Sequence, residues 1–424
     1  MTDTVTTPAD REDKEPERYG SRATADRIRA AVAELVPLLR KEAVASDESG
    51  MLTPKTLQAL AATGVFRIAH PLEYGGYALG ARDVADVVAE VARGDGSAAW
   101  TVWAGTGLRL LLGFPEQAVD EVFTDVASWL GPLTCNVAVL SVRGGKARKV
   151  PGGWMVSGDN WAFASGCHHA AWALVGAEYV DETGQGRPAM AVLSRDQYRI
   201  VDNWKVMGLK GSSSNAIATD GEVFVPDHRF APTSEFPARM AGLRDRYAGL
   251  GYRTGPRAAS LVINLNCVPI ALGMARGALE CFVEQSQARK PFSLPYPSVA
   301  EMPATHITAA KAQAAVNAAQ AVIERHADEV DRLALAGDDI TSEQMSEMTM
   351  DLVHAVQQCA DAIDLLQVTL GSSTVGLGNP IQRYARDIRV MQTHRMLRLS
   401  EVAELHGRTI CGLEPIPLHG AHTI

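Results

Sequence analysis

The chain has no CxxC pair and no cysteine spacing suited to a metal or a disulfide framework. Its six cysteines, Cys135, Cys167, Cys267, Cys281, Cys359 and Cys411, are scattered. That usage predicts reduced, mostly buried thiols and a cytoplasmic protein. There is no P-loop, no GxGxxG after a strand, no HExxH and no GxSxG. Those absences remove common ways of being a kinase, a Rossmann dehydrogenase, a zinc protease or an α/β-hydrolase. No run approaches the about 18–20 continuous apolar residues of a membrane span, so no membrane partner is expected. Residues 1–20 have no apolar signal core; being polar and charged, they predict a disordered leader and argue against secretion. An excess of basic charge is missing too. Lys and Arg number 40 against 49 Asp and Glu, net −9. Phosphate binding wants clustered positive charge, so nucleic acid is not the expected partner.

What is present is a large globular body. At 424 residues the chain exceeds one ordinary core, and two or three domains of about 100–200 residues each are expected. Apolar residues make up 46% and charged residues 21%, as in folded proteins. Residues 21–130 carry helical periodicity. Ser21 or Thr24 is placed to cap a helix through Leu39. Thr53 precedes a short helix with Pro54 near its start and Gly64 past its end. Stretches 82–94 and 97–113 repeat the pattern, and the glycines of HPLEYGGYALG force a turn before them. Over 131–230 the period shortens to that of strands, which predicts a β domain of roughly a hundred residues. Residues 231–257 fit neither pattern and read as a connecting loop, a candidate lid. Segments 258–290, 304–335, 342–370 and 381–407 are long, Ala-rich and amphipathic. They predict an antiparallel four-helix bundle over 258–411, with a tail at 412–424. The fold class expected is α+β.

That order, with four local motifs, resembles the acyl-CoA dehydrogenase fold. Pro71-Leu72-Glu73-Tyr74-Gly75-Gly76 is similar to its P-x-E-Y-G-G turn. Gly208-Leu209-Lys210-Gly211-Ser212, with Val223-Phe224-Val225-Pro226 after it, is similar to its G-x-x-G-S/T strand and V-x-V-P exit. Arg289-Lys290-Pro291-Phe292 resembles the R-x-x-F segment, and Arg383 to Arg389 the R-x-x-R-D-x-R segment. A dehydrogenase of this family needs a carboxylate base against its substrate. Arg395 stands where that Glu would fall, and the alternative site around Leu261 to Asn266 holds no acid. Glu401 and Glu404 lie further along the chain.

Other residues resemble a sister group, the two-component flavin-dependent monooxygenases. Asp95-Gly96-Ser97-Ala98-Ala99-Trp100 looks like their D-G-S-x-x-W helix start, and Trp161-Ala162-Phe163-Ala164-Ser165-Gly166 like their W-x-F-x-S-G strand beside the flavin. His394 falls where members carry a catalytic histidine. The resemblance implies reduced FMN or FAD from a separate NAD(P)H-dependent reductase. It also implies O2, a C4a-(hydro)peroxyflavin, a small organic substrate and a homotetramer. The alternative is an acyl-CoA dehydrogenase or oxidase with a displaced base.

The candidate residues follow. Strand alternation would put Trp161 and Phe163 on one face with Ser165 in register. Ser165 then reaches flavin N5, or merely bonds the turn at Gly166; Trp161 and Phe163 line the flavin or fill the β core. His394 exchanges a proton near neutral pH, or is a satisfied interface histidine. Arg289, with Phe292, contacts the flavin phosphate, often across a subunit interface in the family, or is a solvated helix end. Arg383, Arg386, Asp387 and Arg389 read as a structural ion-pair cluster. Phenol hydroxylases of this group tend to carry a His after D-G-S-x-x-W. Here Trp103, Thr106 and Arg109 occupy that stretch and are assigned to the substrate pocket, with His169. No metal spacing accompanies the His168–His169 pair.

Overall fold

The computed structural model describes residues 22–124, 126–136, 144–414 and 416. The expected leader at 1–20, the cap at Ser21 and most of the tail lie outside them. The first helix, α1 (Arg22–Ser49), runs ten residues past Leu39 and carries Pro37 inside it. Its buried stripe continues from Leu39 through Ala43 to Ser46, so tertiary packing outweighs the proline's local cost. Helix α2 (Pro54–Thr63) is capped as expected. Thr53 accepts from the Thr56 N–H, and Gly64 closes it at φ 85°. Helices α3 (Ala81–Gly94), α4 (Gly96–Gly105), α5 (Arg109–Leu112) and α6 (Glu116–Phe123) follow. The single helix expected over 97–113 is broken by a turn at 106–108, next to Gly105 and Gly107.

The middle of the chain is a mixed sheet. Strands β1 (Thr134–Asn136), β2 (Gly145–Val150), β3 (Gly153–Gly158), β4 (Trp172–Val180), β5 (Gly186–Ser194), β8 (Val223–Pro226) and β9 (Phe230–Pro232) form it. The order is β8-β3-β2-β4-β5-β9, with β1 also on β4. Strands β6 (Arg199–Val201) and β7 (Ala216–Ala218) form a separate pair. Alternation along β4 and β5 splits the core. Leu174, Met190 and Val192 pack with residues 108–123 and 231–252, while Val175, Ala191 and Leu193 face the other side.

The 231–257 segment is packed rather than an open connecting loop. It forms β9 and two short helices, α7 (Phe236–Ala241) and α8 (Leu243–Arg246), and buries Phe236, Leu243, Tyr247 and Tyr252. Burying four large side chains outweighs the entropy of a free loop.

The C-terminal bundle has helices α9 (Pro256–Cys267), α10 (Pro269–Ala288), α11 (Pro303–Ala336), α12 (Ser342–Leu370), α13 (Pro380–Gln392) and α14 (Leu399–Ile410). Pro269 divides the first expected helix, and the stretch 393–398 divides the last. Residues Pro256–Ala288 are long and apolar enough to cross a membrane by composition, but 72% of that window is buried inside the protein. One core cluster joins α1 and α3 to α10, α11 and α12.

Candidate active site

Helix α4 begins where Asp95 turns its carboxylate onto the Ser97 N–H at 2.9 Å. A Cβ at Gly96 would lie 2.6 Å from Met274 Sδ, so any side chain there would force Met274 to shift where α4 packs on α10. Trp100 and Trp103 then lie one turn apart on one face, ring centres 4.7 Å apart. His394 lies in the turn after α13, not on the last helix as expected. It meets both indoles edge-on, at 5.6 Å from Trp100 and 5.9 Å from Trp103.

The β domain brings the fourth member. Residues 161–166 are not a strand. Trp161 makes a single bridge to Ile217, and the chain then turns, with Phe163 at φ 63°. Three of the four non-glycine residues with positive φ among those described are Phe163, Leu209 and Ser213. The Ala164 N–H bonds Asn215 O and the Gly166 N–H bonds Ser212 O, so 161–166 and 209–215 hold each other. Left-handed non-glycine backbone costs ~1–2 kcal/mol per residue, and such strain gathers at functional sites. The Ser165 hydroxyl accepts from Trp100 Nε1 at 3.1 Å. It also bonds Ser214 Oγ at 2.8 Å, which bonds Ser212 Oγ at 2.8 Å. Ser165, Trp100, Trp103 and His394 thus form one constellation.

Burial, with Arg395 adding to it, pulls His394 down to about 4. Its ring is therefore neutral at pH 7, and its buried Nδ1 has no partner. A neutral imidazole here is a proton acceptor.

Two expected residues sit elsewhere for clear reasons. Trp161 is only 3% exposed and donates to Gly176 O at 2.8 Å. Its ring fills space that side chains at Gly145 and Gly158 would take, at 2.8 and 2.4 Å. It packs as β-domain core and does not share a face with Phe163. Phe163 itself is 66% exposed, with Trp204 edge-on at 6.2 Å. His169 is also structural rather than pocket-lining. Burial and the neighbouring His168 pull it down to about 4, and its neutral Nε2 accepts the Leu52 N–H at 3.2 Å.

Arg289, at the end of α10, bonds Ser373 Oγ at 2.6 Å and Gln285 Oε1. Phe292 beyond it is fully exposed at 107%. Within one chain neither touches the constellation. Thr106 and Arg109 line a cavity shared with α9 and the 69–84 segment. The R-x-x-R-D-x-R cluster is structural. Arg386 bonds Asp47 and Met207 O, Arg389 pairs with Asp364, and Asp387 accepts the Leu209 N–H at 2.6 Å.

Sequence reasoning missed Trp100 as the donor to Ser165, and the Ser212–Ser214 hydroxyl chain. The signal was the three consecutive serines directly after the G-x-x-G pattern.

The residues present fit a flavin: an exposed aromatic at Phe163, a partly exposed hydroxyl at Ser165, and unpartnered polar atoms at Ser213 Oγ and His394 Nδ1. Among the described residues no cluster of His, Cys, Asp or Glu is suited to a metal.

Comparison with known proteins agrees. The acyl-CoA dehydrogenase N-terminal domain model matches residues 21–120, and the acyl-CoA dehydrogenase C-terminal domain model residues 265–399. The HsaA oxygenase subunit of a flavin-dependent monooxygenase from Rhodococcus jostii is 28% identical over 85% of this chain and 92% of its own. The oxygenase component of the FADH(2)-dependent resorcinol hydroxylase from a Rhizobium species is 29% identical, over 92% and 95%. The crystal structure of the HsaA monooxygenase from M. tuberculosis superposes with a TM-score of 0.77 at 26% identity, covering 92% of this chain and 98% of that one. By fold, motifs and relatives, the chain belongs to the acyl-CoA dehydrogenase-like superfamily and, within it, to the oxygenase components of two-component flavin-dependent monooxygenases.

Proposed function

We propose that this chain oxygenates an aromatic substrate beside the Ser165–Trp100–Trp103–His394 constellation, using O2 and reduced FMN or FAD from a separate NAD(P)H-dependent reductase. The carrying observation is that constellation, where β-domain hydroxyl, helical indoles and bundle imidazole meet. The relatives support the substrate class, since they include resorcinol and p-hydroxyphenylacetate hydroxylases.

Reduced flavin, when bound, would supply the two electrons that activate O2, from which one oxygen atom goes to the substrate and the other leaves as water. The chain's own residues do the rest. The Ser165 hydroxyl, fixed by Trp100 Nε1 and Ser214, would hold the polar edge of the flavin ring. Phe163 gives the ring an apolar face. Trp100 and Trp103 limit water around the reacting atoms. His394, neutral and with a free Nδ1, accepts the proton from the substrate's oxygen or nitrogen.

The working form is a cytoplasmic homotetramer. Phe292, Val368, Val375 and Leu377 are exposed apolar residues near the ends of α10 and α12, and they support assembly through the bundle. Arg289 reaches a flavin phosphate only in such an assembly. The net charge of −9 supports a small-molecule partner over nucleic acid. Nothing favours the acyl-CoA dehydrogenase alternative, since Glu401 and Glu404 are exposed on α14.

The test is turnover of aromatic substrates with a flavin reductase, NADH and isotopically labelled O2. One labelled oxygen atom in the product is expected. Dehydrogenated product without label would overturn the proposal.

A further inference from the structure

Asp387, on α13, is 1% exposed. Its Oδ1 accepts the Leu209 N–H at 2.6 Å, and its Oδ2 has no partner. A Cβ on Gly96, at the start of α4, would lie 3.2 Å from that Oδ2. A Cβ on Gly208 would strike Arg386 O, and the Arg386 guanidinium bonds Met207 O. Helix α13, the base of α4 and residues 207–209 therefore meet at one buried carboxylate. The same helix leads into the turn that carries His394.

From Leu209 a chain of backbone bonds runs to the constellation. Leu209 O accepts the Ser212 N–H at 3.1 Å, and Ser212 O accepts the Gly166 N–H at 2.8 Å. Asn215 O accepts the Ala164 N–H at 2.9 Å. Ser165 stands between those two anchored residues, and its hydroxyl accepts from Trp100 Nε1 at 3.1 Å. Leu209 and Ser213 bracket the segment at φ 51° and 45°. That backbone is unfavourable for residues with a side chain, so bonds from outside the segment must hold it. Asp387 supplies the bond at Leu209. Packing supplies the rest, since a Cβ on Gly211 would lie 3.1 Å from Cβ of both Ser46 and Ser97.

Resting on the monooxygenase reading above, we infer that Asp387 is the positioning residue of the flavin-facing hydroxyl: by holding Leu209 against the base of α4, it sets where Ser165 stands relative to Trp100. An uncharged oxygen at the same place would serve, and a methyl group would not. Around Asp387 stand Asp95 from α4 and Arg383 and Arg386 from its own helix. Asp47 of α1 pairs with Arg386 at 3.0 Å and with Lys210 at 3.6 Å. Burial, with Asp95 beside it, lifts Asp387 to about 7, so its charge changes near neutral pH.

The test reads hydrogen exchange at the indole N–H groups of the full chain, without flavin, by NMR of isotope-labelled tryptophan. Trp161, whose N–H bonds Gly176 O in the β core, is the internal control. Asp387→Ala should speed exchange at Trp100 at least about tenfold and leave Trp161 within about threefold, and Asp387→Asn should return Trp100 to within about threefold of the unmodified chain. Loss of stability alone would speed both indoles together. Equal acceleration of the two, no acceleration at Trp100, or no rescue by Asp387→Asn would overturn the inference. If Asp387→Ala does not fold, a titration decides. The Trp100 N–H resonance of the unmodified chain should move as the pH passes about 7 and hold still in Asp387→Asn. A Trp100 resonance that holds still in the unmodified chain would overturn the inference. Neither measurement uses flavin or turnover, so its failure and a failure of the oxygen-labelling test are read separately.

Discussion

Replacing Ser165 by alanine removes one oxygen and tests the heart of the site. In the folded chain that oxygen accepts from Trp100 Nε1 at 3.1 Å and bonds Ser214 Oγ at 2.8 Å. Ser214 keeps Ser212 after the change. Trp100 is only 6% exposed, so its N–H is left with little access to water. An orphaned buried donor costs ~1–3 kcal/mol, so thermal stability should fall measurably without loss of the fold. The functional effect follows from the flavin contact. Loss of ~1–2 kcal/mol there corresponds to a factor of about 5–30. The assay mixes anaerobic protein and reduced flavin with oxygenated buffer and follows the return of oxidised-flavin absorbance. The delay before that return should shorten by this factor, and hydrogen peroxide per flavin oxidised should rise. Ser214→Ala is the control, because Ser165 keeps its indole donor. A Ser165→Ala delay within twofold of the unmodified chain, at equal flavin affinity, would refute the reasoning.

Three further outcomes follow from the same geometry. His394→Phe keeps the edge-on contacts with both tryptophans and loses the proton acceptor; product formation should drop ~10²–10⁴-fold with flavin protection retained. Rates in the unmodified chain should not lose this base until the pH nears 4, so a rate that falls steeply between pH 8 and 6 would count against His394. His70 is buried with both ring nitrogens unpartnered, and burial, with Arg67, pulls it down to about 3. The unfolded chain takes up that proton first, so stability should fall, by about 1.4 kcal/mol per pH unit at most for this group, from pH 6.5 toward 3. His70→Phe should flatten that slope in thermal melts. Burial and the nearby Asp95 raise Asp387 to about 7, and its Oδ2 has no partner. Its stabilising contribution is lost as pH rises through about 7. Asp387→Asn keeps an oxygen for the Leu209 N–H and should flatten the fall in melting temperature that this group causes between about pH 4 and 7, whereas Asp387→Ala should cost ~1–3 kcal/mol.

Much of the fold was legible because long amphipathic runs carry their own periodicity. The 342–370 helix matches its expected limits, and Gly64 closes α2 where the Thr53–Pro54 start demands. The misses have physical causes. The first helix, expected to end at Leu39, is carried ten residues further by buried packing at Ala43 and Ser46. Trp161 to Phe163 alternates like a strand, but a bridge followed by a left-handed residue sends the two rings to opposite environments. Its glycine neighbours, Gly158 three residues before it and Gly145 on the paired strand, leave room for the Trp161 ring in the core. His169 carries no local sign that a backbone N–H of Leu52 would claim it. Ser165 and His394 were visible as motif positions. Trp100 was visible only as part of one, because its bond to Ser165 spans two domains.

On the proposed function, the chain holds reduced flavin and shields its reaction with oxygen. The direct measurement is rapid mixing of the unmodified chain, preloaded anaerobically with FMNH2 or FADH2, with oxygenated buffer. Oxidised-flavin absorbance should return clearly later than without protein, with one flavin preferred. Oxidation at the protein-free rate with both flavins would contradict it.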